Sequence, residues 1–140
     1  MAQQLSVFLE NAPGRLNEMA RVLGETQVNM HALFVADTND FGVARIICDR
    51  TEDAAAALRD AGFSVTTTDV VAVEIPDTPG ALGKLFEAIA AAEVDISYCY
   101  CVVDPTTKKA VSFCRFKTPN AQAVIEEAGF RIFGDNVFHS

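Results

Sequence analysis

Apolar positions along the chain switch between two spacings. At Leu5, Val7 and Leu9 they alternate, which places all three on one face of a strand. From Leu16 the spacing changes to three and four residues, through Met19, Ala20 and Leu23, and predicts a helix with one apolar stripe. Gly24 is read as the end of that helix. The same switch recurs later, from Val71, Val73 and Ile75 to Leu82, Leu85, Phe86 and Ile89. Each time a short Pro-Gly segment stands at the switch: ENAPGRL, Glu10 to Leu16, and PDTPGAL, Pro76 to Leu82.

The remaining elements repeat as well. Met30–Ala36 and Phe41–Cys48 read as a hairpin turning through DTND, and Ile96–Val103 and Ala110–Phe116 as a second one turning through DPTTKK. A second helix follows in each copy, with stripes Ala54, Ala57, Leu58, Ala61 and Ala121, Val124, Ile125, Ala128. Thr51 and Thr118 are its expected N-caps, with Pro119 at a first helical position. A last strand starts near Ser64 and again near Arg131. A shift of 66 residues superimposes Asn11 on Asp77, Pro13 on Pro79, Gly14 on Gly80, Leu16 on Leu82 and Asn29 on Asp95. The chain is two copies of one βαββαβ unit.

This order predicts an α+β fold of two ferredoxin-like units in tandem, each an antiparallel sheet with both helices on one face. The units are expected at residues 1–69 and 70–140, joined side by side into one extended sheet that hides edge strands. The join, TTTDVVAVEI, has no Gly, Pro or Ser linker.

Composition narrows the function classes. With half of its 140 residues apolar and 21% charged, the chain can fill a packed core. A net charge of −8 argues against nucleic acid or an anionic membrane as partner. No apolar run approaches the roughly 20 residues of a membrane span, and MAQQLSVFLEN does not look like a secretory leader. The expectation is a cytoplasmic protein with Cys48, Cys99, Cys101 and Cys114 reduced.

Two βαββαβ units, each with an Asx-Xaa-Pro-Gly-Xaa-Leu loop between first strand and first helix, resemble a tandem pair of ACT domains over about Leu5 to Phe133. The segments that carry the resemblance are ENAPGRL with QVNM and PDTPGAL with EVDI. The resemblance implies a small-molecule sensor, most often of amino acids, that regulates a separate metabolic enzyme or transcription regulator. It also implies a homodimer, no catalytic residues, no metal and no cofactor. Its ligand is held by the loop of one domain and the second-strand start of the other. One implied site is Asn11, Ala12, Pro13, Gly14, Arg15 and Leu16 with Asp95. The other is Asp77, Thr78, Pro79, Gly80, Ala81 and Leu82 with Asn29. Many ACT domains carry a histidine two positions ahead of the loop Asn, where this chain has Leu9 and Ile75.

The residues themselves fit such a site. A helix N-terminus offers unpaired N–H groups and partial positive charge to a carboxylate. Glycine allows close approach of a ligand, and proline is expected to open the helix. Asn can accept from an ammonium and donate to a carboxylate. Asp77 would repel a carboxylate, so the Asn11 loop is the better receiver, with Asp95 for the ammonium and Arg15 as a carboxylate clamp. Thr78 is equally readable as a plain N-cap, and Asx-Pro-Gly as ordinary turn chemistry. His31 beside Asn29 reads as a strand histidine. The alternating Cys99 and Cys101, with Cys114 opposite, read as small core residues rather than a zinc site. Two other functions compete: a small enzyme of acylphosphatase type, for which no nucleophile–base pair can be assembled, and a ligand-free oligomerisation module.

Overall fold

The computed structural model describes residues 2–10, 12–37, 41–104 and 109–134. They divide into two compact units, one within residues 3–68 and one of Ala2 with residues from 69 onward. The first contains β1 (Ala2–Glu10), α1 (Arg15–Glu25), β2 (Met30–Asp37), β3 (Phe41–Cys48), α2 (Thr51–Asp60) and the start of β4 (Ser64–Pro76). The second contains the rest of β4, α3 (Ala81–Ala91), β5 (Ile96–Asp104), β6 (Lys109–Phe116), α4 (Ala121–Glu127) and β7 (Ile132–Phe133). This is the expected α+β, ferredoxin-like order in tandem. The closing strand of the first copy and the opening strand of the second are one unbroken strand, β4.

Antiparallel pairing sets each register. In the first unit β1 and β2 both pair with β3, so that Leu5 and Leu33 flank Ile46, and Val7 and Val35 flank Ala44. In the second, β4 and β5 pair with β6: Val71 and Cys99 flank Cys114, and Val73 and Cys101 flank Ser112. The short β7 pairs with β4 at Ala72 and Val73.

Each unit has its own core on the helix-covered face. Leu5, Val7 and Leu9 pack with Met19, Leu23, Ala54 and Leu58; Val71, Val73 and Ile75 pack with Leu85, Ile89, Ala121 and Ile125. Full burial of one such aliphatic side chain stabilises by roughly 1.5–3 kcal/mol. Alanines at 54, 55 and 121 let their helices sit close to the sheet.

Helix ends depart from expectation. Gly24 lies inside α1, and the left-handed residue that closes the helix is Gln27, φ 60°. Its N–H donates to the Gly24 carbonyl while Val28 N–H donates to Leu23, which is the Schellman pattern. The triplet AGF, at Ala61–Phe63 and again at Ala128–Phe130, makes the same cap with glycine in place: Phe63 N–H donates to the Leu58 carbonyl, and Phe130 N–H to that of Ile125. At the other ends, Arg50 and Asn120 occupy the N-cap positions, so Thr51 begins α2 and Thr118 and Pro119 precede α4. No described helix is long and apolar enough to cross a membrane.

Candidate functional site

The two Pro-Gly loops share one backbone design. Ala12 N–H donates to the Glu10 carbonyl, and Arg15 N–H donates to Ala12 at 3.5 Å. Thr78 N–H to Pro76 and Ala81 N–H to Thr78 repeat both contacts. The residues between are Pro then Gly, with Gly14 at φ 87°, ψ −5° and Gly80 at φ 84°, ψ −8°. That is a type II turn, which calls for a fixed φ at its second position and a left-handed one at its third. The expectation that proline opens the helix is therefore corrected. Helix α1 begins at Arg15 and α3 at Ala81, with glycine at the N-cap. Neither helix has a side-chain cap, so Thr78 is not one. A Cβ added at Gly14 or Gly80 would meet no atom within 4 Å. Both helix mouths thus have open space at the turn.

In the first unit the turn borders a recess of ≈ 310 Å³ lined by Leu9, Glu10, Ala12, Pro13, Arg15, Leu16, Val35 and Gly42. Ala12, Pro13, Arg15 and Leu16 were expected; Glu10, Val35 and Gly42 were not. Gly42 is brought there by its pairing with Leu9, and Val35 lies on β2 near the Asp37 that pairs with Gly42. Leu9, at the position where many ACT domains carry histidine, is buried in the core. Asn11 lies outside the described residues.

Arg15 is the one basic group on this recess. Its Nη1 donates to Glu18 Oε2 at 2.8 Å, and its guanidinium lies 4.2 Å from the centre of the Phe63 ring. Its Nε–H is buried with no hydrogen-bond partner among the described residues. Leaving a buried donor unsatisfied costs about 1–3 kcal/mol. Glu10 adds a carboxylate to the rim, exposed to solvent. The recess therefore presents one cation, one anion and an apolar wall of Leu9, Pro13, Leu16 and Val35.

Asn29 and Asp95 occupy matching corners just before β2 and β5. The Asn29 carbonyl accepts from Asp49 N–H and its N–H donates to Asp49 Oδ1 at 2.9 Å. The Asp95 carbonyl accepts from Lys117 N–H, and its N–H donates to Thr118 Oγ1 at 2.8 Å. Thr118 is thus used by the backbone of Asp95. Neither residue meets the loop of its own unit. The loop follows the end of β1, level with the far end of β2, and at roughly 3.3 Å per residue the strand separates Asn29 from it by roughly 25 Å. A larger groove of ≈ 550 Å³ lies beside Thr118, lined by Cys114, Arg115, Lys117, Asn120 and Gln122 among others. Arg115 on this groove donates to the Asp69 carbonyl. We favour the smaller recess because it adjoins the open Pro-Gly turn and brings Arg15 and Glu10 together with an apolar wall.

Among the described residues no cluster of His, Cys, Asp and Glu could hold a metal ion. Burial pushes the thiol pKa of Cys48 up to about 11 and that of Cys114 up to about 12.

The sequence profile described as ACT domain pair matches residues 1–136. No protein of curated function matches the sequence. Among solved structures, protein BT0572 from Bacteroides thetaiotaomicron is 36% identical with a TM-score of 0.87, the match covering 94% of this chain and 91% of that one. The ligand-free regulatory subunit of aspartate kinase from Thermus thermophilus is 15% identical with a TM-score of 0.66, over 91% of this chain and 92% of that one. The corresponding subunit from Thermus flavus is 18% identical with a TM-score of 0.65, over 90% and 89%. At such identities the two subunits share the fold.

Proposed function

Because the chain belongs to the ACT domain pair family, we propose that it is a regulatory protein without catalysis of its own, which binds a free amino acid at the loop Asn11–Leu16. The observation that carries this reading is the Arg15 guanidinium lining a recess beside an open turn. A carboxylate is the group a guanidinium binds best, since charge-assisted bonds are about twice as strong as neutral ones. Glu10 across the recess suits an ammonium, and Leu9, Leu16 and Val35 suit an apolar side chain. Those three features together describe a zwitterionic amino acid with a hydrocarbon side chain.

In the full reading, Asp95 serves the Asn11 loop and Asn29 serves the loop of Asp77, Thr78, Pro79, Gly80, Ala81 and Leu82. The second loop is the weaker one. Asp77 repels a carboxylate there, and Ala81 stands where the first loop has Arg15. Ligand would act by favouring one arrangement of a homodimer over another, and through it a separate cytoplasmic enzyme or transcription regulator. Occupancy of the site by a small molecule, rather than turnover, separates this from the acylphosphatase reading.

The test is calorimetric titration with each of the twenty amino acids, with acyl phosphates as the enzymatic control. One apolar amino acid is expected to bind saturably, and no acyl phosphate to be hydrolysed. Arg15→Ala should weaken binding roughly 10- to 100-fold, the size of a lost charge-assisted hydrogen bond. Hydrolysis of an acyl phosphate, or unchanged binding in Arg15→Ala, would overturn the proposal.

A further inference from the structure

The two units provide an internal control, position by position. In the first, Leu33 on β2 faces Ile46 on β3, and Val35 faces Ala44. At the same places in the second stand Cys99 facing Cys114 and Cys101 facing Ser112. Four aliphatic side chains have become three thiols and a hydroxyl on one face of the sheet. The sibling copy shows that the fold does not require sulfur there.

Geometry selects one pair among the three thiols. Residues directly opposite in an antiparallel ladder have Cα atoms about 4.5–5.5 Å apart, inside the range of about 4.4–6.8 Å that a disulfide spans. Cys99 and Cys114 are such partners. Cys101 faces Ser112 instead, and reaches Cys114 only diagonally, at roughly 7–8 Å. Cys99 and Cys101 sit two apart on one strand with side chains pointing the same way, so their Cβ atoms do not converge. A shared contact supports the selected pair. The Ser112 hydroxyl lies 3.4 Å from Cys114 Sγ and also meets the Cys99 thiol. Access is unequal: Cys114 is fully buried, whereas Cys99 is half-buried on β5, the last strand of its sheet.

We propose that Cys99 and Cys114 are an oxidation site, closing a reversible cross-strand disulfide when a peroxide reaches Cys99. The Cys99 sulfur attacks one oxygen of hydrogen peroxide, the O–O bond breaks, and Cys99 becomes a sulfenic acid with release of one water. The Cys114 sulfur then displaces the sulfenic hydroxyl. That hydroxide takes up the Cys114 proton and leaves as a second water, so two thiols are oxidised and one peroxide is reduced to two waters. Cys101, though more exposed, has no thiol opposite and stays outside the bridge. Both partner thiols have a pKa raised chiefly by burial. The reaction is therefore slow at neutral pH and quickens as pH rises, which distinguishes it from a catalytic dithiol.

The full chain, fully reduced, is treated with hydrogen peroxide, quenched with an alkylating agent, digested with trypsin without reductant and analysed by mass spectrometry. The expected product is residues 85–108 joined to 110–115, two hydrogens lighter than the free peptides together and separated by dithiothreitol. Cys101→Ser should keep the link. Cys99→Leu and Cys114→Ile, which install the residues of the sibling copy, should abolish it while leaving the circular dichroism spectrum unchanged. The oxidised protein should melt several degrees higher than the reduced one. A link that survives Cys99→Leu, or oxidation confined to Cys101 with Cys99 and Cys114 fully alkylated, would overturn the assignment.

Discussion

Alanine at Gly14 should destabilise the protein, whereas alanine at Gly24 should stabilise it. Gly14 holds φ 87°, ψ −5° at the mouth of α1, and a Cβ there touches nothing within 4 Å. The penalty is thus purely one of backbone conformation. A left-handed backbone costs a residue with a Cβ roughly 1–2 kcal/mol. Alanine returns about 0.4–1 kcal/mol by restricting the unfolded chain. The net loss is about 1 kcal/mol, and Gly80, with φ 84° and equally open space, should behave alike. Gly24 lies inside α1 with no positive φ and no atom near its missing Cβ. Helix propensity then predicts a gain of about 0.8–1 kcal/mol. Urea denaturation followed by far-ultraviolet circular dichroism measures all three, with unchanged slopes confirming that the midpoints report stability. If Gly14→Ala matched or exceeded the parent protein, the turn geometry and the open helix mouth built on it would both be wrong.

Gln27 and Glu93 close α1 and α3 in left-handed conformation, φ 60° and 55°, so Gln27→Gly and Glu93→Gly should each raise stability by about 0.5–1 kcal/mol in the same assay. Leu58 is completely buried between α2 and its sheet, and Leu58→Ala should cost roughly 2–5 kcal/mol by calorimetry. Alkaline pH should destabilise the protein. Cys48 and Cys114 titrate near 9.0 when unfolded but at about 11 and about 12 when folded, so the native state retains protons that the unfolded chain loses. Their contribution is intact below pH 9 and falls as pH rises from there towards 11 and 12. Cys48→Val with Cys114→Ile should flatten that decline in urea midpoints measured from pH 8 to 11.

The fold was legible because its signal is written twice. Period-two and period-3.6 segments recur in register, and the recurrence fixes element order even where single segments are ambiguous. Helix boundaries were less legible. Gly24 resembles a stop, yet the left-handed position falls on Gln27, because the Schellman bonds from Gln27 and Val28 choose the end. Thr118 resembles a cap, yet its hydroxyl receives the Asp95 N–H. The loop half of the candidate site could be read from Ala12–Leu16. Its other half could not, because Glu10, Val35 and Gly42 reach the recess through strand register, which is fixed by pairing and not by local spacing. The partnership of Arg15 with Glu18 and Phe63 was likewise hidden. Glu18 lies one helical turn away and could have been inferred, whereas Phe63 comes from the far side of α2.

We propose above that the Asn11–Leu16 loop receives the carboxylate of a free amino acid. A crystal structure of the chain with the amino acid that binds it most tightly tests this most directly. A carboxylate oxygen is expected within about 2.7–3.2 Å of Arg15 or of a backbone N–H in that loop, with the ligand side chain against Leu16 and Val35. Ligand seated instead in the groove beside α4, with the Arg15 turn unchanged, would contradict it.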